Sequence, residues 1–386
     1  MVRSLNSWTI AAAVALAIAC LPVPSLAEDT TPITNVVDSS QKAAAADNNK
    51  DNSSLSVIAI PVPVTNAAIG NGLGLAAGLI YKLDAGSPAS YTGAGAFYTD
   101  KHSWAIGAAQ KTNFARDRLH VNALAAYYNF HYDFFGIGEV AGSQGRSVPL
   151  LQSGTALIPE ALVRVLPHTA IGIRYRYLTA STSVDLTAVS DNLHLSLPQA
   201  QLKITSSGLG PVVEYDSRND PFSPSEGSYA RIEADFAERA LLTNTKSYSS
   251  VDGDYNGYRT IGKNSVIAYR ASFCQVSNST PFFDLCSFGS HNDLRGYTPG
   301  QYRDKTSFAT QIEYRWRFWD PFGLVVFGGV GGVAPSFDEY RFDKLLPSGG
   351  GGLRYRASKK YPVNIGVDFA VGKRTTAFYV RIGEAF

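Results

Sequence analysis

From residue 55 onward, apolar and polar positions alternate with a period of two, in bursts separated by turn residues. In Phe308 to Trp319, Thr310, Ile312, Tyr314, Trp316 and Phe318 share one face, and Gln311, Glu313, Arg315 and Arg317 share the other. Successive side chains on a strand point to opposite faces, so this segment predicts a strand with an apolar wall and a charged wall. The pattern recurs: Ile171, Ile173, Tyr175 and Tyr177 oppose Gly172, Arg174 and Arg176. Ala230, Ile232, Ala234 and Phe236 oppose Arg231, Glu233 and Asp235. Val363, Ile365, Val367, Phe369 and Val371 oppose Asn364, Gly366, Asp368 and Gly372. Strands are predicted at 56–65, 72–83, 90–99, 103–113, 118–131, 153–166, 169–182, 206–216, 227–239, 249–260, 263–275, 306–319, 322–334, 349–358, 361–372 and 375–386.

The connectors alternate in length. Leu166-Pro167-His168, Ile261-Gly262, Asp320-Pro321 and Lys359-Lys360 are short, whereas 132–152, 183–205, 276–305 and 335–348 are long. Arginines seldom face a protein core, but a water-filled lumen accepts them, and the opposite wall suits lipid. Beyond the N-terminal region no apolar run is long enough for a membrane helix; Gly72 to Tyr81 is too short and too glycine-rich. A spanning chain of this kind must be a closed barrel, because lipid offers no partner for unpaired backbone groups. A soluble sandwich with one wet face is the competing reading, and the recurrent arginines opposite large aromatics argue against it. The expected fold is therefore all-β: a sixteen-stranded antiparallel transmembrane barrel over 55–386, in the bacterial outer membrane. The 35 glycines, 21 tyrosines and 20 phenylalanines fit such a wall, and a formal charge of +2 gives no support for nucleic-acid binding.

The N-terminus supplies the route. Arg3, the apolar Trp8 to Leu21 and Ser25-Leu26-Ala27 before Glu28 predict a secretory signal peptide over 1–27. Cys20, preceded by Ala17-Ile18-Ala19, leaves lipidation as an alternative. Residues 28–54 are small and polar and predict a disordered periplasmic tail. In an oxidising compartment Cys274 and Cys286 are candidates for a disulfide. No CxxC, HExxH or Cys/His cluster occurs, so no metal or cofactor is expected. His291-Asn292-Asp293 lies in a loop without a Ser/His/Asp grouping, so enzymatic activity is not expected.

Three groups of residues stand out. Leu294-Arg295-Gly296-Tyr297 lies in the long loop before the 306–319 strand, where Arg295 can reach inward to Glu313, with Gly296 permitting a tight turn and Tyr297 packing beside it. An exposed arginine in a solvated loop is the plainer alternative. At the opposite end, Asp216 and Arg218 can pair across a turn whose path Pro224 and Gly227 fix. Pro61 and Pro63 remove ladder donors from the first strand, which would close against 375–386. They mark either a weak seam suited to lateral opening or the strand's membrane exit.

Leu294-Arg295-Gly296-Tyr297 is followed by Gly300-Gln301-Tyr302-Arg303-Asp304 and Gln311-Ile312-Glu313-Tyr314-Arg315. With Glu214-Tyr215-Asp216-Ser217-Arg218-Asn219-Asp220 through Pro224 to Gly227, and Phe134-Phe135-Gly136-Ile137-Gly138, this resembles the bacterial surface antigen family, the barrels of BamA, TamA and the two-partner secretion transporters. The resemblance covers about 55 to 386. It implies a sixth extracellular loop folded into the lumen as a plug, with Arg295 as the motif arginine and Glu313 as its wall partner. It implies a second acid on the thirteenth strand, where Phe327-Gly328-Gly329-Val330-Gly331 carries glycines instead. Phe386, sharing a face with Phe378, Val380 and Ile382, resembles the C-terminal recognition signal of outer-membrane barrels, from which Glu384 departs. The implied activity is assistance to protein or lipid insertion or translocation at the outer membrane. Glu28 to Leu55 leaves no room for the family's POTRA domains, so the expectation is a POTRA-less barrel among outer-membrane lipids, with a periplasmic or membrane partner protein supplying client handling. The alternative is a plugged passive pore or a structural surface protein.

Overall fold

The computed structural model describes residues 56–185, 202–220, 223–237, 247–289, 293–356 and 364–386; the segments read as signal peptide and tail, the Lys359-Lys360 turn and His291-Asn292 lie outside them. Strands β1 (Ser56–Asn66), β2 (Gly70–Tyr81), β3 (Ser90–Thr99), β4 (Trp104–Phe114), β5 (Leu119–Phe134), β6 (Val148–Leu166), β7 (Thr169–Val184) and β8 (Leu202–Asp216) form the first half of one sheet. The second half is β9 (Gly227–Ala237), β10 (Tyr248–Ile261), β11 (Ser265–Val276), β14 (Thr306–Trp319), β15 (Phe322–Ala334), β16 (Leu346–Arg356), β17 (Asn364–Gly372) and β18 (Thr375–Ile382). The sixteen strands pair in chain order, each antiparallel to the next. The long connection between β11 and β14 contains a small hairpin, β12 (Cys286–Phe288) and β13 (Tyr302–Asp304), and the β5–β6 loop contains a short helix, α1 (Glu139–Gln144).

Burial follows the sequence alternation. On β14, Ala309, Gln311, Glu313 and Arg315 are buried, while Thr310, Ile312, Tyr314 and Trp316 are exposed. Ile106, Ile173, Ile232, Val326 and Phe369 extend the exposed apolar face around the sheet. A patch of this extent is untenable in water and is the lipid-facing band of a membrane-spanning barrel. The buried faces meet one another: Arg231 on β9 pairs with Glu160 on β6, Asn364 on β17 reaches Ser223 in the β8–β9 turn at 3.0 Å, and Lys373 beyond β17 pairs with Glu139 on α1 at 3.1 Å. These contacts require the sheet to curl around a filled interior. The interior is apolar and aromatic along β1–β7, with Ile69, Tyr91, Phe97, Phe130 and Ile158, and charged from β6 to β18. β1 and β18 stand at the two ends of the strand order, and among the described residues no ladder joins them.

The end of the chain departs from the expected strand. β18 stops at Ile382, and Gly383, at φ +88°, turns the chain inward. Glu384 accepts from Arg354 Nε at 2.7 Å and Asn364 Nδ2 at 2.6 Å, and Ala385 and Phe386 are buried with Tyr258 and Ala268. Phe386 therefore does not continue the lipid-facing row. Parity explains the change: a continued strand would set Glu384 on the lipid side, where a carboxylate is costly, whereas inside it meets Arg354.

Candidate functional site

The described residues of the 277–305 connection lie against the buried face of β14–β17, and the glycines of β15 make that seat. A Cβ at Gly329 would stand 2.6 Å from Leu294, and one at Gly331 would stand 2.6 Å from Phe288. Phe288, Leu294, Tyr297 and Tyr302 form one buried cluster with Ala309, Val333 and Leu346. The stretch that lacks the expected acid is thus the surface on which the loop rests.

Arg295 is 1% exposed and every arm of its guanidinium is engaged. Nη2 lies 2.5 Å from Glu313 Oε2, Nη1 lies 2.8 Å from Asp368 Oδ2 on β17, and Nε donates to Gln311 Oε1 at 3.1 Å. The Phe327 ring lies beneath it, 3.4 Å from its carbon to the ring centroid. A planar fork suits this multidentate seat, which a point-charged ammonium would not fill. Gly296, at φ +106°, passes so close to Ser348 and Gly372 that a Cβ would meet both at 3.0 Å. Its N–H donates to Tyr379 Oη at 2.9 Å, and Tyr297 Oη donates to Pro347 O at 2.6 Å. Sequence places Asp368 on the polar face of its strand but not in the site; it also accepts from Arg354 at 2.5 Å and forms an ion pair with Arg381 at 3.1 Å.

Glu313 joins the two ends of the wall. Its Oε1 accepts from Arg315 Nε at 2.6 Å, and Arg315 in turn donates to Pro224 O at 3.1 Å and Phe386 O at 2.8 Å. Pro224 belongs to the turn in which Arg218 grips Asp216, with Nη2 to Oδ2 at 2.8 Å and Nε to Oδ1 at 3.0 Å, beneath the Tyr229 ring. Gly227, at φ +91°, is where a Cβ would strike Ser217 O at 2.2 Å. The loop arginine and the turn at the opposite end therefore share a single carboxylate as intermediary.

The same long loop has a second anchor. Asp284, at the start of the same long loop, takes Arg176 of β7 in a bidentate pair, at 2.8 and 2.7 Å, and accepts from Tyr248. Arg176 also pairs with Asp235 at 3.0 Å, and Arg231 spans Glu160, Glu214 and Glu233. The alternating arginines of β7 and β9 carried this signal, but the loop acid gave no periodic mark. Cys274 and Cys286 form a disulfide with Cα atoms 5.7 Å apart, tying the loop to the end of β11. Pro61 and Pro63 lie opposite Leu75 and Leu73 in the β1–β2 ladder. Being two residues apart, they leave both missing N–H groups on the same edge of β1. Among the described residues no cluster of three or more His, Cys, Asp or Glu is disposed to hold a metal ion.

Residues 95–386 match the family profile described as the Omp85 superfamily domain. Among solved structures the chain is similar to BamA from Haemophilus ducreyi lacking POTRA domains 1-3, at 13% identity and a TM-score of 0.57, covering 89% of this chain and 79% of that one. It is also similar to CdiB from Escherichia coli, at 9% identity and a TM-score of 0.54, covering 88% of this chain and 68% of that one. CdiB from Acinetobacter baumannii matches at 10% identity and a TM-score of 0.51, covering 84% of this chain but only 59% of that one. No curated protein matches. At these identities the structural likeness establishes the fold.

Proposed function

The chain belongs to the Omp85 superfamily of outer-membrane barrels, and from that membership we propose that it assists insertion or translocation of a protein or lipid at the outer membrane, with the 277–305 loop as an internal plug. The observation that carries this reading is Arg295, buried between Glu313 and Asp368 on the inner wall. A loop merely covering the lumen needs no such seat. The seat fixes the plug in one register while leaving it non-covalently held beyond Cys286, so its release is a matter of breaking ion pairs. The barrel acts as a scaffold and not as an enzyme, and a periplasmic or membrane partner delivers the client. Pro61 and Pro63, which remove two donors from a strand at an end of the strand order, support a weak seam opposite β18.

The second reading, a plugged passive pore, is favoured by the rigidity of the loop, which is held at Asp284, at Cys286 and at Arg295. Deletion of the gene separates the two. Assistance to insertion or translocation predicts an altered outer-membrane protein or lipid profile. An unchanged profile, together with steady bilayer conductance that rises strongly in Arg295→Ala, would establish the passive pore instead.

A further inference from the structure

The loop between β15 and β16, residues 335–345, does not share the lumen with the 277–305 loop. Phe308 and Gly332 are cross-strand partners on the exposed face of β14 and β15, the face that carries Ile312, Tyr314 and Val326. Tyr340 lies on that face. Its ring stands edge-on to Phe308 at 4.9 Å between centroids, its hydroxyl donates to Gly332 O at 3.3 Å, and it would be 3.4 Å from a Cβ at Gly332. Phe337 stacks on Tyr340 at 6.0 Å. Two short 3₁₀ turns, Phe337–Glu339 and Phe342–Lys344, then present Phe342 at 95% exposure and Phe337 at 46%.

The upper edge of β14–β15 is thus clad on both sides: Phe288 of the plug rests on Gly331 inside, and Tyr340 rests on Gly332 outside. An almost fully exposed phenylalanine gains nothing in water, whereas burying its ring in an apolar boundary is favourable. Through Tyr340 on Phe308, the loop that carries this ring adjoins the lipid-facing band at the long-loop end, the level at which barrels carry their aromatic girdles. The loop's charges are arranged for a wet boundary, with Ser336 bonded to Glu339 at 2.8 Å and Arg341 paired with Asp343 at 3.2 Å.

We propose that loop 335–345 is an interfacial membrane anchor, clamped to the outer wall by Tyr340 and Phe308, that lays Phe342 and Phe337 into the boundary between headgroups and acyl chains. Its partner is bilayer lipid, and the occupied surface is continuous with the lipid-facing band. The anchor holds the outer side of the strands that seat the plug on their inner side.

A nitroxide attached through Phe342→Cys, in a chain carrying Cys20→Ser and reconstituted in vesicles of phosphatidylethanolamine and phosphatidylglycerol, tests this. The label is expected to collide with oxygen as readily as one at Val326→Cys on the lipid face, and to be shielded from a water-soluble nickel complex. Nickel accessibility equal to that of a label at the exposed Arg146→Cys overturns the proposal. So does shielding from both reagents, which indicates a protein partner. A label-free measurement is tryptic cleavage after Arg341 in the same vesicles: Phe337→Ser with Phe342→Ser is expected to accelerate it about ten-fold, and equal rates overturn the anchor.

Discussion

Asp368 receives Arg295 at 2.8 Å across 73 positions of sequence, joining the long loop to β17 in addition to its bond to Glu313 on β14. Three strands therefore meet at one guanidinium, because Phe327 of β15 lies beneath it. Asp368 also holds Arg354 and Arg381, and Glu313 also holds Arg315, so the wall carboxylates are compensated among themselves and Arg295 adds the bridge that ties the loop to both strands.

Removing that cation should be costly. Arg295→Ala is expected to destabilise the barrel by about 3 kcal/mol, the low end of the range for breaking a buried pair, because Glu313 keeps Arg315 and Asp368 keeps Arg354 and Arg381. Arg295→Lys should recover only part, since an ammonium cannot bridge Glu313, Asp368 and Gln311 in one plane. Thermal unfolding and tryptic digestion within 277–305 provide the measurement, with the exposed Arg341→Ala as reference. Equal behaviour of Arg295→Ala and that reference would show that the seat does not hold the loop.

Glu313 should couple the loop to the turn at the other end. Arg295 and Arg315 occupy its two oxygens, so either alone leaves it compensated and loss of both leaves a bare buried carboxylate. The double substitution Arg295→Ala with Arg315→Ala is expected to cost more than the sum of the singles, by about 0.5–3 kcal/mol. In a Glu313→Gln background that excess should vanish. Additivity in both backgrounds would mean that the two arginines act independently.

What could be read from sequence follows from what each feature depends on. All sixteen wall strands were legible, because lipid outside and polar contents inside impose a strict dyad, as on β14 and β9. Arg295 and Glu313 were legible as chemistry, through a motif and a charged strand face. Asp368 was equally visible as an inward acid, but which inward group faces a loop is set by the curvature of the sheet, and periodicity carries no information about that. The β15 glycines looked like a missing acid and are instead the space taken by Leu294 and Phe288. At the C-terminus alternation alone extended the strand to Phe386; the single lipid-side carboxylate, Glu384, was the mark of the inward turn.

Adjacent glycines on β15 should respond differently to a methyl group. At Gly331 a Cβ would lie 2.6 Å from Phe288 and 2.4 Å from Phe308 O, so Gly331→Ala must displace the long loop or the strand. Overpacking of this kind costs about 1–3 kcal/mol. At Gly332 the nearest atom is Tyr340 Cε1 at 3.4 Å, an ordinary contact, and Gly332→Ala should be tolerated or mildly stabilising. Unfolding midpoints of the two variants provide the comparison, and the reverse order would place the loops on the opposite faces from those described.

The loop should also tighten as pH falls toward 4. Asp293, beside Arg295, accepts from Leu294 N at 2.7 Å and Gly289 N at 3.0 Å, yet its enclosure in the loop pushes its carboxyl up to about 7. A carboxyl with a raised folded value binds its proton more tightly folded than unfolded, so its contribution is greatest below the unfolded value near 3.8. That contribution is lost as pH rises through about 7 and is flat above it. Hydrogen exchange at the Gly289 and Leu294 amides, corrected for intrinsic rates, is expected to show protection declining across this window. Asp293→Asn, which cannot ionise, should flatten the profile and be better protected than the parent at pH 8. A parent profile that is flat, or one that rises with pH, would mean that the carboxylate is comfortably solvated and that the loop carries no proton-linked stability at this position.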